Sequence, residues 1–101
     1  IGIIILLILA NTLPATNLEI ENINLNNLNK KISTSGTIIK INNYPNFQIL
    51  TITKDSFSID IILDQKTNLR KDQIINVAGK LEKYKNSLQI RAEVIRLESE
   101  H

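Results

Sequence analysis

Residues 74–97 read IINVAGKLEKYKNSLQIRAEVIRL. Ile75, Val77, Gly79 and Leu81 recur at period two, and Leu88, Ile90 and Ala92 do the same beyond the charged stretch Lys83-Tyr84-Lys85-Asn86-Ser87. Alternation of this kind on both sides of a polar loop predicts a β-hairpin with one buried face. A glycine inside a strand gives up packing and chain entropy, so Gly79 marks a bulge or a sharp bend. Gly36 stands in the same way inside residues 31–41.

The alternation extends upstream as a regular meander. A first strand over residues 31–41 puts Ile32, Thr34, Gly36 and Ile38 on one face until a bulge lets Ile39 or Ile41 turn inward, and Tyr44-Pro45-Asn46 closes a turn. In a second strand, residues 47–53, Leu50 and Ile52 point to the core and Thr51 and Thr53 away from it. Lys54-Asp55-Ser56 forms a short hairpin turn. A third strand, residues 57–63, shares Phe57, Ile59, Ile61 and Leu63 on one face and Ser58, Asp60 and Ile62 on the other. The expected core is Ile38, Leu50, Ile52, Ile59, Ile61, Val77, Leu81, Leu88 and Ile90. Residues 64–72, DQKTNLRKD, are too short and polar for more than one helical turn or a loop with Leu69 tucked in. The fold class is therefore all-β.

A first strand with a mid-strand glycine, a meander, then a glycine-lysine strand and a Y-K-x-x-L-Q-I strand resembles the OB-fold family of nucleic-acid-binding domains. The motifs here are S-G-T-I-I-K-I at residues 35–41, V-A-G-K-L at 77–81 and Y-K-N-S-L-Q-I at 84–90. The resemblance covers residues 30–97. It implies a small five-stranded barrel in which strands one and four pair, with a ligand face on strands two and three flanked by the one–two and four–five loops. OB barrels commonly carry a helix between strands three and four. Residues 64–72 depart from that pattern, which leaves the N-terminal segment to plug the bottom of the barrel.

A chain of 101 residues allows one domain and must bury much of its apolar surface, which 43% hydrophobic residues permit. With no Cys or Met, and its single His at position 101, the chain excludes disulfides and thiolate or imidazole metal sites. Its glycines stand alone at positions 2, 36 and 79, so it has no Gly-rich phosphate loop, and no nucleophile–base pair is present. Asp55, Asp60 and Asp64 fall near one rim, where carboxylates on a strand and its turns are ordinarily a solvated surface. These features predict a protein that is not an enzyme and needs no cofactor or metal. The formal charge of +2 hides an asymmetry: residues 1–29 hold Glu19 and Glu21 and no basic residue, so every Lys and Arg lies in the barrel region. That distribution suits a polyanionic partner, and also an ordinary soluble surface.

The first ten residues, IGIIILLILA, are an uncharged run too short to span a bilayer as an independent helix. They fit the hydrophobic core of a signal peptide or membrane anchor whose basic start is missing, which would place the barrel outside the cytoplasm, exported or membrane-anchored. Two other readings remain: a hydrophobic stem that packs with identical subunits in a filament, or a strand or core helix docked on the barrel. The resulting division is residues 1–13 as signal- or anchor-like, 14–29 as an Asn-rich linker and 30–101 as the barrel. Within the linker, residues 18–23 alternate enough to lie partly ordered along a barrel edge.

Single-strand recognition combines aromatic platforms with a basic groove. Tyr44 and Tyr84 are the candidate platforms, and Lys83 and Lys85 flank Tyr84. Lys40, Lys54, Lys80 and Arg91 are candidate phosphate contacts, and Thr51, Thr53 and Gln89 complete the face. Tyr84 reads equally as a rim tyrosine covering Leu81 and Leu88 with its hydroxyl in water. Gln89 and Arg91 are exposed strand partners or readers of a base edge and a phosphate. The expected partner is single-stranded DNA or RNA, bound non-specifically. The alternative is an extracellular structural or adhesive subunit assembling through residues 1–10, or a protein or glycan binder on the same face.

Overall fold

The computed structural model describes residues 4–5 and 15–100. Five strands form the barrel: β1 (Lys31–Asn43), β2 (Gln48–Lys54), β3 (Phe57–Leu63), β4 (Gln73–Tyr84) and β5 (Ser87–Glu100). β1 pairs antiparallel with β4 over residues 31–37, then with β2 over residues 37–43. β2 pairs with β3 and β4 with β5, both antiparallel, and a parallel contact between β3 and β5 at Asp60↔Gln89 through Ile62↔Arg91 closes the barrel. The expected pairing of strands one and four is therefore present.

Turn chemistry sets the hairpins. Tyr44 N–H donates to the Phe47 carbonyl at 2.9 Å, with Pro45 between them. Asp55 and Ser56 both take positive φ, 54° and 72°, as a two-residue loop between right-twisted strands requires. The expected five-residue loop at 83–87 shrinks to two residues, because Lys83 and Tyr84 pair with Leu88 and Ser87 and continue the strands.

Three bulges bend the long strands. Ile39 is the extra residue where β1 meets β2, and Glu93 and Glu98 are extra where β5 meets β4. The Glu93 bulge shifts the inward phase of β5 from Leu88, Ile90 and Ala92 to Ile95 and Leu97. It faces Gly79, which matches the bend expected there. Gly36 lies three residues before the β1 bulge, where β1 changes partner. Neither glycine has positive φ, so close approach and not backbone freedom explains both. A Cβ on Gly36 would lie 2.9 Å from the Thr53 carbonyl oxygen and 3.2 Å from Ile20 Cδ1.

Eight of the nine expected core residues are buried, and Leu88 packs half-buried against them. Ile32, Leu63, Ile75, Ile95 and Leu97 join the same core. Phe57 is the correction: in phase with the core, it is nonetheless 48% exposed, because it sits at the tip of the β2–β3 hairpin beyond the packed layer. Residues 64–72 form no helix, and Leu69 is buried as expected. Buried Gln48 anchors this loop by accepting from Thr67 N–H at 3.3 Å and Thr67 Oγ1–H at 2.8 Å while its Nε2 donates to Asn43 Oδ1 at 2.7 Å.

The stretch assigned to a linker lies on the barrel. Thr16–Asn17 runs parallel to β1 opposite Ile32 and Ser33, and single 3-10 turns follow at Ile20–Asn22 and Leu25–Asn27. Ile20 is buried in the core cluster with Leu18 and Ile23 packed against it. Ile20→Ala should lower stability by about 2 kcal/mol, the small end of buried isoleucine truncations because the site is at the rim. A thermal melt unchanged by this substitution would show that residues 15–29 are only a tether. The anchor- or signal-like reading of residues 1–10 falls outside the described residues except at Ile4–Ile5, whose backbone pairs antiparallel with Arg96 and Ile95 of β5. No helix among the described residues is long and apolar enough to cross a membrane.

Candidate nucleic-acid interface

The outward residues of β2, β3 and β5 align in rows set by the strand registers. Ile49, Ile62 and Arg91 make one row, and Thr51, Asp60 and Gln89 the next. Thr53 and Ser58 make the third. The first row is the unusual one, since Ile62 points away from the core yet is only 8% exposed, with half-buried Ile49 opposite it. Together they form an apolar floor. Above it lies an open groove of about 610 Å³ lined by Tyr44, Phe47, Tyr84, Gln89, Arg91 and Asp64 among others.

Aromatic rings enter from two turns. Tyr44 and Phe47 flank the β1–β2 turn and stack with centroids 4.5 Å apart and planes 8° from parallel, which braces both rings. Tyr84, at the end of β4, is 60% exposed, and Lys85 Nζ lies 5.5 Å from its ring centroid.

The electrostatics centre on Arg91. Its Nε donates to Glu82 Oε1 and Oε2 at 3.2 and 3.0 Å, and its Nη1 to Asp64 Oδ1 at 2.9 Å. The Glu82 hydrogen bond raises the Arg91 pKa above its ordinary value, opposed by burial and aided by Asp64. In the second row Thr51 Oγ1–H donates to Asp60 Oδ1 at 2.7 Å. Among the described residues no three His, Cys, Asp or Glu side chains gather as a metal site.

No family model and no curated protein matches this sequence. Solved structures do. An asparaginyl-tRNA synthetase from Pyrococcus horikoshii has a TM-score of 0.73 at 9% identity, over 83% of this chain and 23% of that one. OBody AM1L10, bound to hen egg-white lysozyme, has a TM-score of 0.74 at 13% identity, over 89% of this chain and 100% of its own. The S. pombe Stn1–Ten1 complex gives 0.61 at 14% identity, over 67% and 57%. The domain is an OB fold. It spans less than a quarter of the length of the synthetase chains it matches.

On this OB fold, Tyr44, Tyr84, Gln89 and Arg91 meet in one groove, while Thr51 and Thr53 occupy the adjoining rows of the same sheet. The cations sort differently from expectation. Lys54 lies at the opposite end of β2, paired with Glu19 at 2.8 Å, a hydrogen bond that raises its pKa. Lys40 sits beside the β1 bulge and does not line the groove. Lys80 is exposed and in phase with Glu82 and Tyr84, whereas Lys83 follows the alternating phase of Leu81, out of step with Tyr84. No carboxylate stands within ion-pair distance of Lys80, Lys83 or Lys85 among the described residues.

Phe47, Ile49, Ile62 and Asp64 are groove residues that strand patterning missed. The signal for two of them was present: Ile49-Leu50 and Ile61-Ile62 each break the alternation by placing an isoleucine on the outer face.

Proposed function

We propose that this OB fold binds single-stranded nucleic acid without strong sequence preference and catalyses no reaction. The observation that carries the reading is the apolar-floored groove with the Tyr44–Phe47 stack and Tyr84 along it, Lys80 opposite Arg91 and Lys85 against Tyr84, neither lysine having an ion-pair partner among the described residues. Bases stack on such rings with about 1–3 kcal/mol each, and lysines add a sequence-independent attraction to phosphate. Structural relatives that are tRNA synthetases support it. Export or membrane attachment through residues 1–10 belongs to the same proposal, supported by that stretch's uncharged sequence alone.

Fluorescence anisotropy of the whole chain with a labelled single-stranded oligonucleotide at low salt tests the reading. Affinity should be micromolar or weaker and fall steadily with added salt. Lys80→Glu with Lys85→Glu should weaken binding most, Tyr84→Ala should remove about one stacking increment, and Lys83→Glu should matter less. A protein partner on the same groove is the second reading, favoured by the lysozyme-bound OBody. A folded chain that ignores the oligonucleotide at low salt would transfer the groove to that reading.

A further inference from the structure

Among the described residues Arg91 is the one cation lining the groove, beside Ile62, and two of its three guanidinium nitrogens, Nε and Nη1, already donate to carboxylates. The two acids are not equivalent. Glu82 neighbours Arg91 across the β4–β5 ladder, its side chain is 27% exposed, and both its oxygens accept from Nε, so it holds the stem of the arginine. Asp64 comes from the loop after β3, is 68% exposed, and engages only Nη1. An exposed pair of that kind is weak and exchanges readily for another anion. A phosphate can engage a guanidinium through two parallel N–H···O bonds where Asp64 makes only one.

We propose that Asp64 is a specificity-determining residue that closes an anion site on Arg91: its carboxylate holds the Nη1 donor, and a ligand phosphate that engages Nη1 together with Nη2 competes with it for that place. Glu82 keeps the guanidinium in place throughout, as a positioning residue. In the closed state the groove presents its rings and isoleucines to bases while repelling charge, so a phosphate at this point is admitted only from a ligand that also fills the floor. This rests on the nucleic-acid reading for the identity of the ligand, and on the Asp64–Arg91–Glu82 geometry for the gate itself.

The test compares wild type, D64N, R91Q, the D64N/R91Q double variant and D55N against two probes, a single-stranded oligonucleotide and inorganic tripolyphosphate. D55N removes the same charge at the far hairpin tip, in a left-handed position that asparagine accepts. D64N should bind both probes about three- to fivefold more tightly at low salt, the range an exposed pair allows. Its oligonucleotide salt slope should steepen by about 0.7, one additional phosphate contact on a single strand. The gain should vanish in the R91Q background and be absent from D55N. If D64N gains nothing, the gate is overturned; if its gain survives R91Q, or if D55N gains as much, Asp64 acts only through general charge repulsion and the gate is likewise overturned. Because R91Q leaves two carboxylates without their cation, the Arg91 Nη–H resonances of D64N, read at low temperature, give an independent reading: they must shift on adding tripolyphosphate, and fixed resonances also overturn the gate. Tripolyphosphate results that follow the expected pattern, with no oligonucleotide binding by any variant, would uphold the gate and discard the nucleic-acid reading.

Discussion

Gly79→Ala should destabilise the barrel by about 4 kcal/mol or prevent folding, among the largest effects of any single methyl group in this chain. At an ordinary glycine with negative φ, the same change stabilises by about 0.4–1 kcal/mol through the unfolded state. Here the sign reverses. A Cβ on Gly79 would press against the Arg91 carbonyl oxygen, 2.8 Å from Arg91 C and 2.9 Å from Ala92 Cα. These are backbone atoms of the neighbouring strand at the Glu93 bulge, and they cannot rotate aside as a side chain would. Gly36→Ala should cost less, since one of its close neighbours is the movable Ile20 Cδ1. The check is a pair of chemical-denaturation curves. A Gly79→Ala variant as stable as wild type, or less affected than Gly36→Ala, would mean that β4 and β5 do not cross this closely.

Leu50→Ala should cost about 2–5 kcal/mol, a large share of the 5–15 kcal/mol that stabilises an ordinary domain. Leu50 is fully buried on the central strand of the meander, opposite Ile41 on one side and Ile61 on the other. Both neighbours are fixed by strand pairing, so the cavity cannot collapse, and for a domain of about this size the melting midpoint should fall by more than about 10 °C. Phe57→Ala removes more atoms but should cost less than about 1 kcal/mol, because that ring is half in water. Equal losses for the two variants would contradict the burial described here.

Sequence alone determined the strands, the inward phase of most of them, the turns at Pro45 and Asp55, and the bend at Gly79. These follow from local chemistry: alternation at period two, residues suited to reversals, and a strand position that leaves no room for a side chain. Tertiary structure decided what the outer faces became. Ile49 meets Ile62 through the two-residue turn of their own hairpin, but Ile62 meets Arg91 only because β3 and β5 align across a chain separation that no local pattern encodes. The same distant alignment puts Asp64 and Glu82 on Arg91, turning an apparent phosphate contact into a compensated one. Lys54 lies at the far end of β2 and pairs there with Glu19, a residue of the segment that composition marked as a linker, and Ile20 of that segment enters the core because the opening beside Gly36 accepts it. An inward side chain is placed by its own strand, whereas a surface side chain takes its partners from whichever strands the closed barrel sets beside it.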